Sequence, residues 1–127
     1  MSWRFNPFTG QLDKVVTGGA GSSVWDTISS SVTASSTGVV DSVANGMFQS
    51  LKYIITVFND ANTAYRTFEL NVLNNNGSYK DTVSHRLQAG GLSLNVNTVN
   101  NAGTLELQIT NNELYDVQVE IGRLVLA

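Results

Sequence analysis

The sequence predicts an all-β protein: an antiparallel β-sandwich of seven or eight strands, jelly-roll-like or another Greek key, preceded by an extended N-terminal arm. Three observations carry this. From Trp25 onward apolar and polar residues alternate with a period close to two, as in strands with one buried face. Turn signals built from Asn, Asp and Gly recur about every ten residues, the spacing of sandwich strands. No stretch sustains a helical period. The 127 residues divide into an arm (1–16), a Gly/Ser linker (17–24) and a sandwich domain (25–127).

The arm has three aromatics within six residues, Trp3, Phe5 and Phe8, beside the chain's one proline, Pro7. Asn6-Pro7 favours a turn, because proline fixes its own φ and restricts the residue before it. Thr9-Gly10 offers a second turn. Leu12, Val15 and Val16 form a short apolar patch with no partner strand expected nearby in sequence. The segment Thr17-Gly18-Gly19-Ala20-Gly21-Ser22-Ser23 has the composition of a flexible linker.

In the domain, Trp25 to Val32 alternates weakly, and Gly38 to Val43 is a second short strand. Asn45-Gly46 is a tight-turn signal that limits any helix between Asp41 and Tyr53 to a single turn. Gln49 to Asn59 is the strongest strand, with Leu51, Tyr53, Ile55 and Val57 on one face. Ile54 and Phe58 on its other face predict burial on both sides. Ala64 to Leu73 follows the turn at Asn59–Asn62, with Ala64, Arg66, Phe68, Leu70 and Val72 on one side. After Asn74–Gly77 comes a more polar strand, Ser78 to Gln88, in which Tyr79, Val83 and Leu87 share a parity. Ala89-Gly90-Gly91 turns the chain into Leu92, Leu94 and Val96. Asn100–Gly103 leads to Leu105, Leu107 and Ile109, and Asn111-Asn112 to Tyr115, Val117, Val119 and Ile121. A phase slip at Gly122-Arg123 reads as a β-bulge that keeps Leu124 and Leu126 on the core side.

Composition narrows the function classes. Charged residues are 13% of the chain, about half the usual share, while hydrophobics at 42% are ordinary for a folded protein. Asn, Ser, Thr and Gln supply the remaining polarity, which suits sheet faces that pack against other proteins. The net charge of −3, with no Lys/Arg cluster, lacks the footprint of nucleic-acid binding. No apolar run approaches the length of a membrane span, and the N-terminus has no apolar signal region. With no cysteine there is neither a disulfide framework nor a thiolate metal site.

The search for chemistry favours simple explanations. The one histidine, His85, lies between Ser84 and Arg86, and Asp81 is on the same strand. Neighbours along one strand do not build a triad, which needs three converging groups. Glu69, Glu106, Asp116 and Glu120 alternate with apolar residues and face solvent or a partner, and none is selected as a glycosidase pair. Asp60, Asn62, Asn74, Asn75 and Asn76 are loop oxygen donors without the order of a calcium loop. The Gly-rich linker lacks the lysine of a phosphate loop. No catalytic residue, cofactor or metal site is therefore expected. The arm differs. Its aromatics either fold back over the sandwich or insert into another subunit, and the linker favours insertion. Trp3, Phe5, Pro7, Phe8 and Leu12 are the candidate anchors, since a few large apolar residues dominate interface energetics.

The stretch Trp3-Arg4-Phe5-Asn6-Pro7-Phe8-Thr9-Gly10-x-Leu12-Asp13 resembles the N-terminal signature of small virion proteins of tailed bacteriophages, found on tail-fibre, neck-fibre and baseplate-associated components. The strand Lys52 to Val57, followed by Tyr65-Arg66-Thr67-Phe68-Glu69, is similar to β-sandwich modules of phage fibre and decoration proteins. The resemblance implies a non-enzymatic structural component of the virion, a tail or neck fibre or fibre adaptor, docked by its arm onto other virion proteins. It also implies a homo-oligomer, with a trimer the common form. A capsid decoration protein is the alternative. A carbohydrate-binding or carbohydrate-cleaving sandwich is a third reading, with Tyr65, Tyr79 and Tyr115 as stacking platforms.

Overall fold

The computed structural model describes residues 25–61 and 63–127 in full, together with the backbone of two N-terminal strands, β1 (Ser2–Asn6) and β2 (Gln11–Val15). These two pair antiparallel, with Phe5 opposite Leu12 and Ser2 opposite Val15. Leu12 and Val15 thus do have a partner strand nearby in sequence, contrary to expectation. The turn-forming pairs Asn6-Pro7 and Thr9-Gly10 lie between the two strands in the sequence.

The domain has eight strands: β3 (Asp26–Val32), β4 (Ser36–Ala44), β5 (Ser50–Asn59), β6 (Tyr65–Asn75), β7 (Ser78–Ala89), β8 (Leu94–Asn101), β9 (Thr104–Asn111) and β10 (Val117–Leu126). The helical element among the described residues is one 3-10 turn, Asn45–Met47, at the Asn-Gly signal. One sheet has the order β3-β10-β5-β6-β7 and the other β4-β9-β8, with every pairing antiparallel. The first domain strand pairs with the last and the second with the next to last, the nested winding of a jelly roll. The middle departs from it: β5, β6 and β7 run as a meander within one sheet, and β8 folds back on β9.

Alternation places the core. Tyr53, Ile55 and Val57 of β5, Leu70 and Val72 of β6, and Val117, Val119 and Ile121 of β10 meet Leu105, Leu107 and Ile109 of β9 between the sheets. Each buried side chain of this size is worth about 1.5–3 kcal/mol relative to leaving it exposed. Because these strands are spread from residue 51 to 121, the first and last thirds of the domain are stabilised together.

Three expectations for the domain are corrected. The register of β10 is continuous against β3 and β5, with Gly122 opposite Thr27 and Ile54 and Arg123 opposite Asp26 and Tyr53. There is no bulge at Gly122-Arg123. Arg123 itself occupies the inward position, Val125 packs on the core, and Leu126 is exposed with Leu124 on the outward parity. An arginine can sit there because the carboxylates of Asp41 and Asp26 meet it. Second, β5 is buried on one side only: Ile54 is 43% exposed. Third, Leu87 leaves the face of Tyr79 and Val83. Between the pairs Thr67–Leu87 and Glu69–Ser84, two residues of β7 oppose one of β6. His85 takes a φ of 55° there, and the extra residue reverses the parity of the strand beyond it. β4 also carries a bulge at Val40, between the pairs Val39–Gln108 and Asp41–Leu107, which the pattern of Gly38 to Val43 does not announce.

Candidate functional site

The two outer faces of the sandwich differ in chemistry. On the three-stranded sheet, outward positions carry Thr37, Val39 and Ser42 on β4, Glu106, Gln108 and Thr110 on β9, and Asn95, Asn97, Val99 and Asn101 on β8. Several of these bond to one another: Asn101 Nδ2 donates to Glu106 at 2.9 Å, Gln108 Nε2 donates to Glu106 at 3.1 Å, and the Thr37 and Thr110 hydroxyls bond at 2.7 Å. This face is mainly polar, with Val39 as its one exposed large apolar side chain among the described residues.

On the five-stranded sheet the outward rows read across the strands. One row is Thr27, Gly122, Ile54, Glu69 and Ser84, and the next on one side is Ser29, Glu120, Thr56, Thr67 and Leu87. Beyond it Gln118, Phe58, Tyr65 and Ala89 line up, with the Phe58 and Tyr65 rings stacked at 6.0 Å. On the other side lie Leu124, Lys52, Asn71 and Thr82, then Leu126, Ser50, Leu73 and Lys80. Trp25, just before β3, covers Gly122: a Cβ there would lie 3.5 Å from its ring. A groove of about 480 Å³ runs over Lys52, Leu73, Lys80, Leu124 and Leu126. Six of the ten exposed large apolar side chains among the described residues stand on this sheet's outer surface: Trp25, Ile54, Tyr65, Leu73, Leu87 and Leu126. Sequence parity puts Ile54 and Tyr65 opposite the core-facing residues of their strands, and misplaces Leu87 and Leu126. It does not show that five strands line these residues up on one surface.

Between the sheets, at the end where β10 finishes, Arg123 Nη1 donates to both Asp41 oxygens at 2.9 Å, and Nη2 donates to Asp26 at 3.1 Å. The Tyr53 hydroxyl donates to Asp41 at 2.7 Å. The Val40 bulge makes this possible by letting Val40 and Asp41 both turn inward. Burial, then the Asp41 charge and its hydrogen bond, push the Tyr53 hydroxyl far above the usual phenol range, partly offset by Arg123. Burial alone would lower Arg123, but the bonds and charge of Asp41, with Asp26 and Tyr53, raise it above its ordinary value. The cluster joins β4 of one sheet to β5 and β10 of the other.

The remaining candidates sort plainly. Ser84 Oγ lies 3.0 Å from His85 Nδ1, and Glu69 lies 3.5 Å from that same nitrogen. A relay needs the nucleophile and the carboxylate on opposite ring nitrogens, so this trio is not arranged as one. Asp81 instead accepts from Thr98 at 2.6 Å. Glu120 accepts from Ser29, and Asp116 from the Ala34 amide. No group of three His, Asp or Glu residues among those described could hold a metal ion. Tyr79 is not an open platform: its ring packs near Phe48 and its hydroxyl donates to Asn45. Tyr65 and Tyr115 are exposed, but on different elements.

Of the candidate anchors, Trp3 and Phe5 fall on β1 and Leu12 on β2, where only backbone is described; Pro7 and Phe8 lie outside the described residues, as does the linker.

No protein-family model and no curated protein sequence matches the chain. Solved structures do. The Acinetobacter baumannii phage AM24 tailspike protein superposes with a TM-score of 0.53 at 7% identity, over 80% of this chain and 25% of that one. The Acinetobacter phage vB_ApiP_P1 tailspike protein aligns with a TM-score of 0.42 at 13% identity, over 87% of this chain and 24% of its own. The chain therefore spans about a quarter of the length of these neighbours. At such identity the likeness is one of fold: the sandwich is an architecture also found within a phage tailspike.

Proposed function

We propose that this chain is a non-enzymatic structural component of a tailed bacteriophage particle, a tail or neck fibre or fibre adaptor held to the virion by its N-terminal arm. The observation that carries the reading is the sandwich shared with a module of a phage tailspike. Its specific support is the arm, where Trp3, Phe5, Pro7, Phe8 and Leu12 gather anchor-type side chains ahead of a Gly/Ser linker. Extended and hairpin segments can add to a neighbour's sheet edge while their large side chains fill its pockets. The linker lets the body keep its own orientation. The partners are other virion proteins.

The test is deletion of residues 1–16 in a particle that carries the protein. The truncated protein is expected to fold as the sandwich and to be missing from assembled virions. Normal incorporation would overturn the docking role. Imaging the same particles separates tail or neck attachment from the capsid-decoration alternative, in which copies follow the head lattice.

A further inference from the structure

We infer that the outer face of the five-stranded sheet is covered by a second copy of this chain. Ile54 lies near its centre. Around it stand Trp25 over Gly122, the outward Leu124, the Thr27, Thr56 and Thr67 hydroxyl-bearing side chains, and Glu69, which pairs with Lys52 at 3.6 Å, so the charge on this face is balanced. Six of the ten exposed large apolar side chains among the described residues gather on this one face, and such a gathering marks an interaction surface. The opposite sheet provides the contrast, since of the exposed large apolar side chains among the described residues only Val39 stands on its outer face, beside Asn101, Gln108, Glu106, Thr37 and Thr110 groups that bond to one another.

Size and charge fix the occupant. Five strands at ~4.8 Å spacing and ten residues at ~3.3 Å rise span about 24 by about 33 Å, or about 800 Å², the share each partner contributes to a standard stable interface. The chain as a whole carries −3. The formal charges on this face, Lys52 and Lys80 against Glu69 and Glu120, cancel. The lysines lie on one side of the Ile54 row and Glu120 on the other. A copy of the chain therefore meets here a surface without the net repulsion of the rest, and opposite charges lie within reach of one another when the faces run head to tail. A strongly charged partner would find no such match.

The experiment measures the native mass of the full-length protein by light scattering and native mass spectrometry. The wild type is expected to be an oligomer. Ile54→Lys and Thr56→Lys, both on the outer face, are expected to give a single-chain mass with the far-UV circular dichroism of the sandwich unchanged. Leu114→Lys, at a loop position 89% exposed and away from this face, is expected to leave the oligomer intact. A monomeric wild type, an oligomer that survives both face substitutions, or one that only Leu114→Lys dissolves would each overturn the inference. None of these results touches the docking role of the arm, which is read from the particle.

Discussion

Arg123 of β10 and Asp41 of β4 meet between the two sheets, with one guanidinium nitrogen donating to both carboxylate oxygens at 2.9 Å. The pair lies where the apolar core ends and replaces a hydrophobic contact between the sheets with a charged one. Charges taken out of water are costly unless paired, and breaking such a pair strands the survivor. Here Asp26 and Tyr53 complete the set, while Arg123 Nε has no partner among the described residues.

Asp41→Ala is therefore expected to destabilise the domain by about 3–5 kcal/mol, because it leaves Arg123 inward with only the exposed Asp26. The double variant Asp41→Leu with Arg123→Met removes both charges and is expected to recover most of that loss. Urea unfolding of the three proteins checks it. A double variant no more stable than Asp41→Ala would mean that the pair stabilises the fold beyond avoiding an unpaired charge.

Tyr53 adds a pH dependence. Its folded-state pKa is raised, first by burial and then by Asp41, so the folded protein holds a proton that the unfolded chain releases above about pH 10. A raised pKa stabilises fully below the unfolded value, and that contribution is lost as pH climbs through and beyond it. Stability should thus fall above about pH 10, with Tyr53 contributing up to ~1.4 kcal/mol per pH unit. Tyr53→Phe should start about 1 kcal/mol less stable at neutral pH, from the lost hydrogen bond, and show a shallower alkaline slope. Parallel slopes for the two proteins would refute this.

The alternating core of β5, β6, β9 and β10 is legible in the sequence, because a period of two follows directly from burying one face of a strand. Pattern fails where an inward position is polar. By its charge Arg123 belongs outside, which calls for a bulge beside it to restore the parity of Leu124 and Leu126. The true bulges, at Val40 and at His85–Arg86, sit at residues with no glycine to mark them. Ile54 and Phe58 look doubly buried because the apolar character of a strand face does not say whether protein or water lies over it. Asn111 has the pattern of a simple turn residue, though its fully buried side chain serves three elements.

The role of that asparagine is open to a direct test. Asn111 Nδ2 donates to the carbonyls of Val32 at 3.2 Å, Thr33 at 3.2 Å and Tyr115 at 2.8 Å, and its Oδ1 accepts from the Glu113 amide at 2.9 Å. It ties the end of β3 to the loop before β10. Asn111→Ala leaves the buried Val32 carbonyl and the part-buried Thr33 and Tyr115 carbonyls without this donor and is expected to cost about 1–3 kcal/mol. Asn111→Asp keeps the shape but has no amide donor, so it should fall as far or further. A thermal melt of Asn111→Asp matching that of the wild type would show that the carbonyls do not need it.

The turn between β7 and β8 supplies a paired test of backbone geometry. Gly90 has a φ of +73°, and a Cβ there would lie 2.6 Å from the Thr63 carbonyl oxygen and 2.9 Å from the Ala64 Cα. Both obstacles are backbone, so no rotamer change relieves them, and a residue with a side chain is also strained at this φ. Its neighbour Gly91 has open space around it. Gly90→Ala is expected to destabilise by at least about 1–3 kcal/mol, the usual range for forcing a residue into a strained backbone region. Gly91→Ala should be neutral or stabilise slightly, since alanine restricts the unfolded chain more than glycine does. Denaturant midpoints of the two variants decide it. Equal midpoints would mean that the Gly90 turn and the Thr63–Ala64 segment can separate at no cost, and that β6 and β7 are not locked at this end.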